Sequence, residues 1–361
     1  MNKVKNVLNK PIFNLYDMSI ARGLLYAIAI MWIVLFHSGF KFSSEALTWI
    51  QTKGDCGVDI FFFLSGISLY FSYTKNRNVK QFYSNRFWKI LPVYYLIYIG
   101  IFLYDTISTG DTFLNFFLKM TMIDYFRKGS ASTVPWFLVA IIIVYLLYPL
   151  LYKIFFDEYE HKGVKLAFVF IICHILYVVA ISTYYGVLRT FSERYFIILL
   201  GIAMGKLVYD KKEVKLWQGL VVLFTFVMLL LLYLKFPTNR MKYLMYIPLT
   251  LIYIFILSWI YKINKKIHLN FVNKTFDFIG RYTFEIYIVH ILLAKRLFNI
   301  LTKNGWNFAY SNFWYQLICF FGSIVLSILI GMAVNAIVKL IRRKLRENKE
   351  KKMDKSQEAI S

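Results

Sequence analysis

Long apolar segments recur along the whole chain, and each is close to the length that a helix needs to cross a bilayer, about 20 residues. Ten segments qualify, at 20–40, 57–74, 90–108, 134–156, 165–185, 194–209, 215–236, 243–262, 277–300 and 312–340. The composition agrees, because 59% of the 361 residues are apolar and only 17% are charged, against about a half and a quarter in soluble domains. We therefore predict an all-α fold, a polytopic transmembrane helix bundle of about ten spans that forms one membrane domain over residues 1–346. The more polar stretch 113–126 is predicted to be an interfacial or loop helix.

The basic residues are distributed unequally between alternate loops. With the N-terminus in the cytoplasm, 29 of the 43 Lys and Arg residues lie on the cytoplasmic side and 13 on the other, with Arg22 at the membrane face. Cytoplasmic loops of membrane proteins carry this excess, so both termini are predicted to be cytoplasmic. The basic tail 347–361 is predicted to be disordered. The net charge of +24 fits loops beside anionic membrane lipids, so we expect no nucleic-acid partner.

The first apolar segment carries an ionisable residue at each end, Arg22 and His37. The fifteen-residue step covers about 22 Å of helix and turns the two side chains only about 60° apart, so both can face one cavity. Polar groups at membrane depth are costly and are candidates for function. The alternatives are that Arg22 reaches the lipid headgroups and that His37 has a structural hydrogen bond.

The second segment begins with a carboxylate, Asp59, and is interrupted at Ser65. A carboxylate near a helix N-terminus is favoured by the helix dipole, so Asp59 can be a simple cap. Alternatively, Asp59 orients His37 and stabilises its protonated form, as carboxylates do in acid–base sites. The sequence leaves both interpretations open.

Two basic residues precede the third segment in "FYSNRFWKILPVYY". Arg86 and Lys89 are about one helical turn apart and share a helix face. Membrane topology alone can account for them. With the aromatic residues between them, they can also form a site for the phosphates and base of a nucleotide.

The ninth segment, "GRYTFEIYIVHILL", contains Glu285 and His290 with Tyr287 between them. Two ionisable groups in one span indicate a polar cavity, although a structural role for both remains possible. No pair of His residues has zinc-ligand spacing, and Cys56, Cys173 and Cys319 are scattered, so no metal is expected.

Four stretches taken together resemble the integral-membrane acyltransferase-3 family, which includes bacterial O-acetyltransferases of surface polysaccharides. They are "ARGLLYAIAIMWIVLFHSG", "GVDIFFFLSGISLYF" with "FYSNRFWKILPVYYL", "PWFLVAIIIVYLLYPLL" and "FIGRYTFEIYIVHILL". By this resemblance, Arg22 and His37 match the family's first-helix motif, and Arg86 and Lys89 its basic motif. The chain departs from the family in a four-residue longer step between Arg22 and His37, and in Lys89, where the family usually has arginine.

The resemblance implies transfer of an acyl group, most often acetyl, from acyl-CoA to a hydroxyl of a cell-surface carbohydrate or its precursor. We expect His37 to be the general base with Asp59 in support, and Arg22, Arg86 and Lys89 to bind acyl-CoA at the plasma membrane. The further candidate cavity residues are Ser65, Trp136, Glu285, Tyr287 and His290. The main alternative is a transporter or flippase for a polysaccharide or lipid precursor, although the chain lacks the paired halves common in transporters. A regulatory sensor domain is a third hypothesis.

Overall fold

The computed structural model describes residues 2–38, 42–128, 132, 134–157, 162–182, 190–303 and 313–358. Within these ranges the chain is almost entirely helical, and a helix occupies each of the ten apolar segments predicted from the sequence. The ends of three predicted segments, at 39–40, 183–185 and 312, lie outside the described residues. The prediction of an all-α fold is confirmed.

The helices at the ten predicted segments are α3 (Arg22–His37), α5 (Cys56–Lys75), α6 (Val79–Thr109), α9 (Trp136–Phe156), α10 (Lys162–Ser182), α11 (Tyr195–Tyr209), α12 (Leu216–Lys235), α13 (Asn239–Lys266), α15 (Thr283–Lys303) and α16 (Phe313–Glu358). The shorter helices are α1 (Asn2–Leu8), α2 (Tyr16–Ile20), α4 (Glu45–Thr52), α7 (Phe113–Met120), α8 (Ile123–Lys128) and α14 (Asn270–Arg281). Two short strands, β1 (Pro11–Asn14) and β2 (Glu213–Lys215), pair antiparallel and join the N-terminal segment to the connection between α11 and α12.

Six of the described helices are long and apolar enough to cross a membrane: α5, α6, α9, α12, α13 and α16. Three shorter apolar helices accompany them, at Arg22–His37, Tyr195–Tyr209 and Thr283–Leu293. The chain is therefore a multi-pass membrane protein. The count of ten spans and the cytoplasmic position of both termini stay predictions, because α3 and α11 are shorter than the length that a span ordinarily needs.

The polar stretch 113–126 forms two short helices, α7 and α8, rather than one. The break between them lies at Met122, whose φ of 63° is left-handed and cannot continue a helix. Asp124 and Lys119 are buried here, at 0% and 7% exposed, and the hydroxyl of Tyr94 in α6 donates to the Lys119 carbonyl at 2.8 Å. The pair of helices is thus packed against α6.

The last helix, α16, extends beyond the predicted end of the membrane domain at residue 346 and runs through Glu358. The sequence predicts a disordered tail at 347–361, whereas the structure has helix through Glu358. The Lys, Arg, Glu and Gln residues of this stretch are strong helix formers, and Arg343 lies 3.5 Å from Glu347 one turn further along the helix. The local sequence therefore favours continuation of the helix. The division of the chain at residue 346 stays a prediction.

Helices α5 and α11 approach each other closely because glycine faces backbone at their contact. A Cβ atom at Gly201 would lie 2.8 Å from the Cα of Phe63, and one at Gly66 would lie 2.6 Å from the Gly201 carbonyl carbon. Gly205 follows Gly201 by one turn and faces the side chain of Tyr70. Small residues at this spacing let membrane helices pack backbone to backbone.

Replacing Gly201 by Ala is expected to destabilise the protein by about 1–3 kcal/mol, since the added methyl overpacks a contact with backbone that cannot rotate away. The measurement is thermal denaturation of the detergent-solubilised protein. The matched control is Gly100→Ala in α6, where a Cβ atom would meet nothing within 4 Å. We expect that control to be neutral or slightly stabilising, because Ala favours helix more than Gly does. Equal melting temperatures for the two variants would contradict the packing argument.

Helix α3 lies inside the bundle and determines where the candidate site residues sit. Leu25, Ala29 and Ile30 are completely buried, and α5 runs antiparallel to α3. The ring of Tyr26 lies 5.6 Å from that of Phe61, whereas Gly54, which precedes α5, faces the last turns of α3 at Phe36. The bundle therefore has an Arg22 end and a His37 end, which we use as reference points below.

Candidate active site

Three cationic side chains come together at the Arg22 end. The charges of Arg22 and Arg86 both act on Lys89, which places the three groups within electrostatic range of one another. The Arg86 guanidinium lies over the rings of Phe82 and Tyr145, at 5.5 Å from each centroid. Its Nε is buried and has no hydrogen-bond partner among the described residues. A site of this kind attracts an anion, because like charges held together are stabilised by a shared negative partner.

Neutral hydroxyl groups line the same end of the bundle. Tyr26 of α3 interacts with Ser65 and Ser68 of α5, and the charges of Arg22 and Arg86 act on its hydroxyl. Ser68 and Arg22 also line a cavity of about 370 Å³. The predicted candidate Ser65 therefore lies next to the cationic group, through Tyr26.

Glu285 is a buried carboxylate on α15 that lies within electrostatic range of the cationic group. It is 5% exposed and accepts a hydrogen bond of 2.7 Å from the side-chain amide of Asn335 in α16. The charge of Lys89 acts on it. The Glu285 carboxylate acts in turn on Lys89 and offsets part of the charge of the three cations.

Two histidines meet at the opposite end of α3. The ring centroids of His37 and His290 are 5.3 Å apart, with the planes inclined by 47°. His37 is exposed, whereas His290 is 1% exposed. Tyr287 borders the pair, with its ring 5.7 Å from that of His290. The structure thus brings His37 of α3 together with two of the predicted residues of α15, Tyr287 and His290.

The tautomer of neutral His290 follows from its contacts. Its Nδ1 lies 2.7 Å from the carbonyl of Tyr287 and 3.1 Å from that of Ile286. A carbonyl oxygen only accepts hydrogen bonds, so Nδ1 carries the proton and donates. The lone pair of the neutral ring is then on Nε2, which is buried and has no partner among the described residues. A histidine in this state is prepared to accept a proton or a hydrogen bond.

Asp59 lies in the first turn of α5 and is 2% exposed. Its carboxylate lies 3.3 Å from the guanidinium of Arg194, which is also 2% exposed. The sequence leaves two roles open for Asp59, a helix cap and a support for His37. In the structure Asp59 instead pairs with an arginine that lies 135 positions further along the chain.

The Arg194 guanidinium belongs to a larger ionic group at the His37 end. Asp55 accepts hydrogen bonds from Arg194 at 3.5 Å, Lys242 at 2.9 Å and Tyr246 at 2.6 Å. Trp136, another predicted candidate, lies under Arg194 with its ring centroid 5.1 Å from the guanidinium carbon. Opposite charges are thus paired throughout, which offsets the cost of their burial.

Several of these residues were not identified from the sequence. Arg194 stands at the start of the apolar run "YFIILLGIAMG", and a cation at that position could have been flagged by the rule that selected Arg22. Asp55 and Lys242 lie at segment ends, where charges are ordinary. Tyr26 carries no signal, since tyrosines are common throughout the chain.

Among the residues that the structure describes, no group of three or more His, Cys, Asp or Glu side chains is arranged to hold a metal ion.

The fold and these groups define a membrane-embedded helical protein with a cationic group near one end of its central helix α3 and a histidine pair, His37 of α3 with His290 of α15, near the other end. Residues 24–332 match a family described as an acyltransferase domain. The chain therefore belongs to the acyltransferase-3 family, as its four sequence stretches predict, and it is an acyltransferase of that family. No curated protein and no solved structure matches it significantly.

Proposed function

We propose that the protein is a plasma-membrane O-acyltransferase that moves an acyl group, most often acetyl, from acyl-CoA to a hydroxyl of a cell-surface carbohydrate or its precursor. The observation that carries the proposal is the arrangement along α3. Arg22 begins the helix among cations, and His37 ends it beside His290. One helix thus connects a place for phosphates with a place for proton transfer.

The two ends of α3 fit the two parts of an acyl-CoA molecule. Phosphate groups carry the negative charge that Arg22, Arg86 and Lys89 attract, and arginine forms the stronger, bidentate bonds to them. The step from Arg22 to His37 is about 22 Å, so the flexible pantetheine arm of the donor has to bring the thioester along this distance. Ten spans with both termini in the cytoplasm would open the Arg22 end to cytoplasmic acyl-CoA.

The chemistry proposed for the His37 end is direct acyl transfer. The acceptor oxygen forms a bond with the thioester carbonyl carbon while His37 removes the hydroxyl proton. The carbon–sulfur bond then breaks, and the CoA thiolate leaves with the proton from His37, which returns to its neutral form. A positioned base of this kind contributes about 10²–10⁴-fold to the rate.

The test is purified protein in detergent or nanodiscs with acyl-labelled acetyl-CoA and a panel of glucose, galactose and N-acetylglucosamine oligosaccharides. Label in an oligosaccharide, as an ester that mild alkali removes, supports the proposal. Succinyl-CoA in parallel compares a second acyl group. Mass spectrometry of cell-surface glycans with and without the protein identifies the acceptor. Glycans with unchanged acylation, together with label that stays on CoA, would count against it.

Replacing Arg86 by Ala is expected to raise the KM for acetyl-CoA about tenfold or more, because a charge-assisted hydrogen bond contributes about 1.5–3 kcal/mol. The value of kcat at saturating donor should change much less, since a phosphate contact remote from the reacting atoms binds substrate and transition state alike. The matched control is Arg77→Ala, because Arg77 pairs with Asp157 and Tyr152 away from this group. A lower kcat with an unchanged KM would contradict the phosphate role.

A further inference from the structure

We propose that His290 is the positioning residue of His37, accepting on its Nε2 a hydrogen bond from the imidazolium that forms on His37. This inference rests on the proposed function for its role in the reaction, but the contact itself can be measured without any turnover. The observations that carry it are the ring contact, the fixed tautomer of neutral His290 and the buried, unpartnered Nε2.

The geometry permits this bond without movement of either helix. Each ring nitrogen lies about 1.2 Å from its ring centroid, so centroids 5.3 Å apart allow a nitrogen–nitrogen separation of about 3 Å, which is hydrogen-bond range. The Nδ1 edge of His290 points back at the carbonyls of its own helix. The opposite edge, with Nε2, therefore points away from α15, and rotation of the exposed His37 ring can bring one N–H to it.

The electrostatics favour one proton for the pair. Two protonated rings at this distance would repel each other. Among the described residues, the charge that acts on His290 is that of His37. A proton taken up by the exposed His37 is therefore shared as a hydrogen bond with a neutral His290. Loss of that proton to the leaving thiolate restores the neutral pair.

The titratable groups on the elements packed around the pair are engaged elsewhere. Asp59 is paired with Arg194, Glu285 with Asn335, and Lys53 with the Tyr233 hydroxyl. The tyrosines bond to backbone groups, and they are Tyr98, Tyr253 and Tyr287. Among these described groups around the pair, Nε2 of His290 is an acceptor that has no hydrogen-bond partner.

The experiment is carbethoxylation of His37 by diethyl pyrocarbonate in the full-length protein, followed by mass spectrometry of the His37 peptide over a pH series. The reagent attacks the neutral ring, so the pH of half-maximal rate reports the protonation of His37. We compare the wild type with His290→Leu and with His290→Gln, whose amide offers both a donor and an acceptor. We expect His290→Leu to lower the midpoint by about one pH unit, because the lost bond is charge-assisted, and His290→Gln to restore most of it.

The outcomes are distinct. An unchanged midpoint in His290→Leu would show that the rings merely pack, and a raised midpoint would show that a charged His290 repels His37; either result overturns the inference. In the labelled acetyl-CoA assay, His290→Leu should lower kcat about 10–100-fold without raising the KM for acetyl-CoA. If the wild type transfers no label, the proposed function fails. The expected lowering of the carbethoxylation midpoint in His290→Leu would still establish the contact between the two histidines. Correct folding of both variants is checked by gel filtration and melting temperature.

Discussion

Replacement of His37 by Ala is expected to lower kcat for acyl transfer by about 10²–10⁴-fold, with the KM for acetyl-CoA little changed. The size follows from the contribution that a positioned general base makes. The KM should persist because the cationic side chains lie at the other end of α3 and bind the donor independently. The measurement is steady-state transfer of labelled acetyl-CoA to the oligosaccharide that wild type modifies.

The same experiment needs a histidine outside the site as its control. His268 has a left-handed backbone with φ of 61°, a conformation that asparagine tolerates, so His268→Asn keeps the fold and should retain full activity. The melting temperature of His37→Ala should also stay near that of wild type, because His37 is exposed. Activity within about tenfold of wild type would remove His37 from the role of base, even if transfer itself is observed.

The sequence was sufficient for the local part of this architecture. Segment length and hydropathy located a helix at each of ten places. These placements succeed because they depend only on neighbours along the chain. Helical periodicity also predicts that Arg22 and His37 face one cavity and that Arg86 and Lys89 share a helix face, and both stay predictions.

The remainder depends on contacts between distant segments. Asp59 looked like a cap or a partner of His37, and nothing local indicates Arg194 instead. The approach of α5 and α11 at Gly66 and Gly201 is visible only when both helices are placed. The histidine pair joins residues that the sequence selected separately, His37 from α3 and His290 from α15.

The two polar groups at the His37 end differ in kind, and this difference predicts different responses to mutation. Nε2 of His290 has no hydrogen-bond partner in the part of the chain that the structure describes, so loss of His290 should affect the protonation of His37 and the rate of acyl transfer. Arg194 is fully occupied by Asp55 and Asp59 and lies over Trp136. It links the beginnings of α5, α9 and α11, so its loss should affect stability first.

Replacing Arg194 by Leu is therefore expected to destabilise the protein by about 3–5 kcal/mol, since removal of one partner leaves a buried charge without compensation. Asp59→Leu should cost less, because Arg194 keeps its contact with Asp55. The double variant should be more stable than Arg194→Leu alone, because a buried ion pair can be replaced by apolar residues at little net cost. The measurement is the free energy of unfolding by denaturant titration in detergent micelles, combined in a double-mutant cycle.

The matched control is the exposed pair of Arg343 and Glu347, at 3.5 Å with side chains 70% and 55% exposed. Arg343→Leu should change the free energy of unfolding by less than about 1 kcal/mol, because exposed ion pairs contribute little. The contradicting result is additivity: the double variant would lose as much free energy of unfolding as Arg194→Leu and Asp59→Leu lose together. That result would mean that the two side chains do not stabilise each other. In that case Asp59 would be available to His37, and the assignment of Asp59 to the ionic group would be wrong.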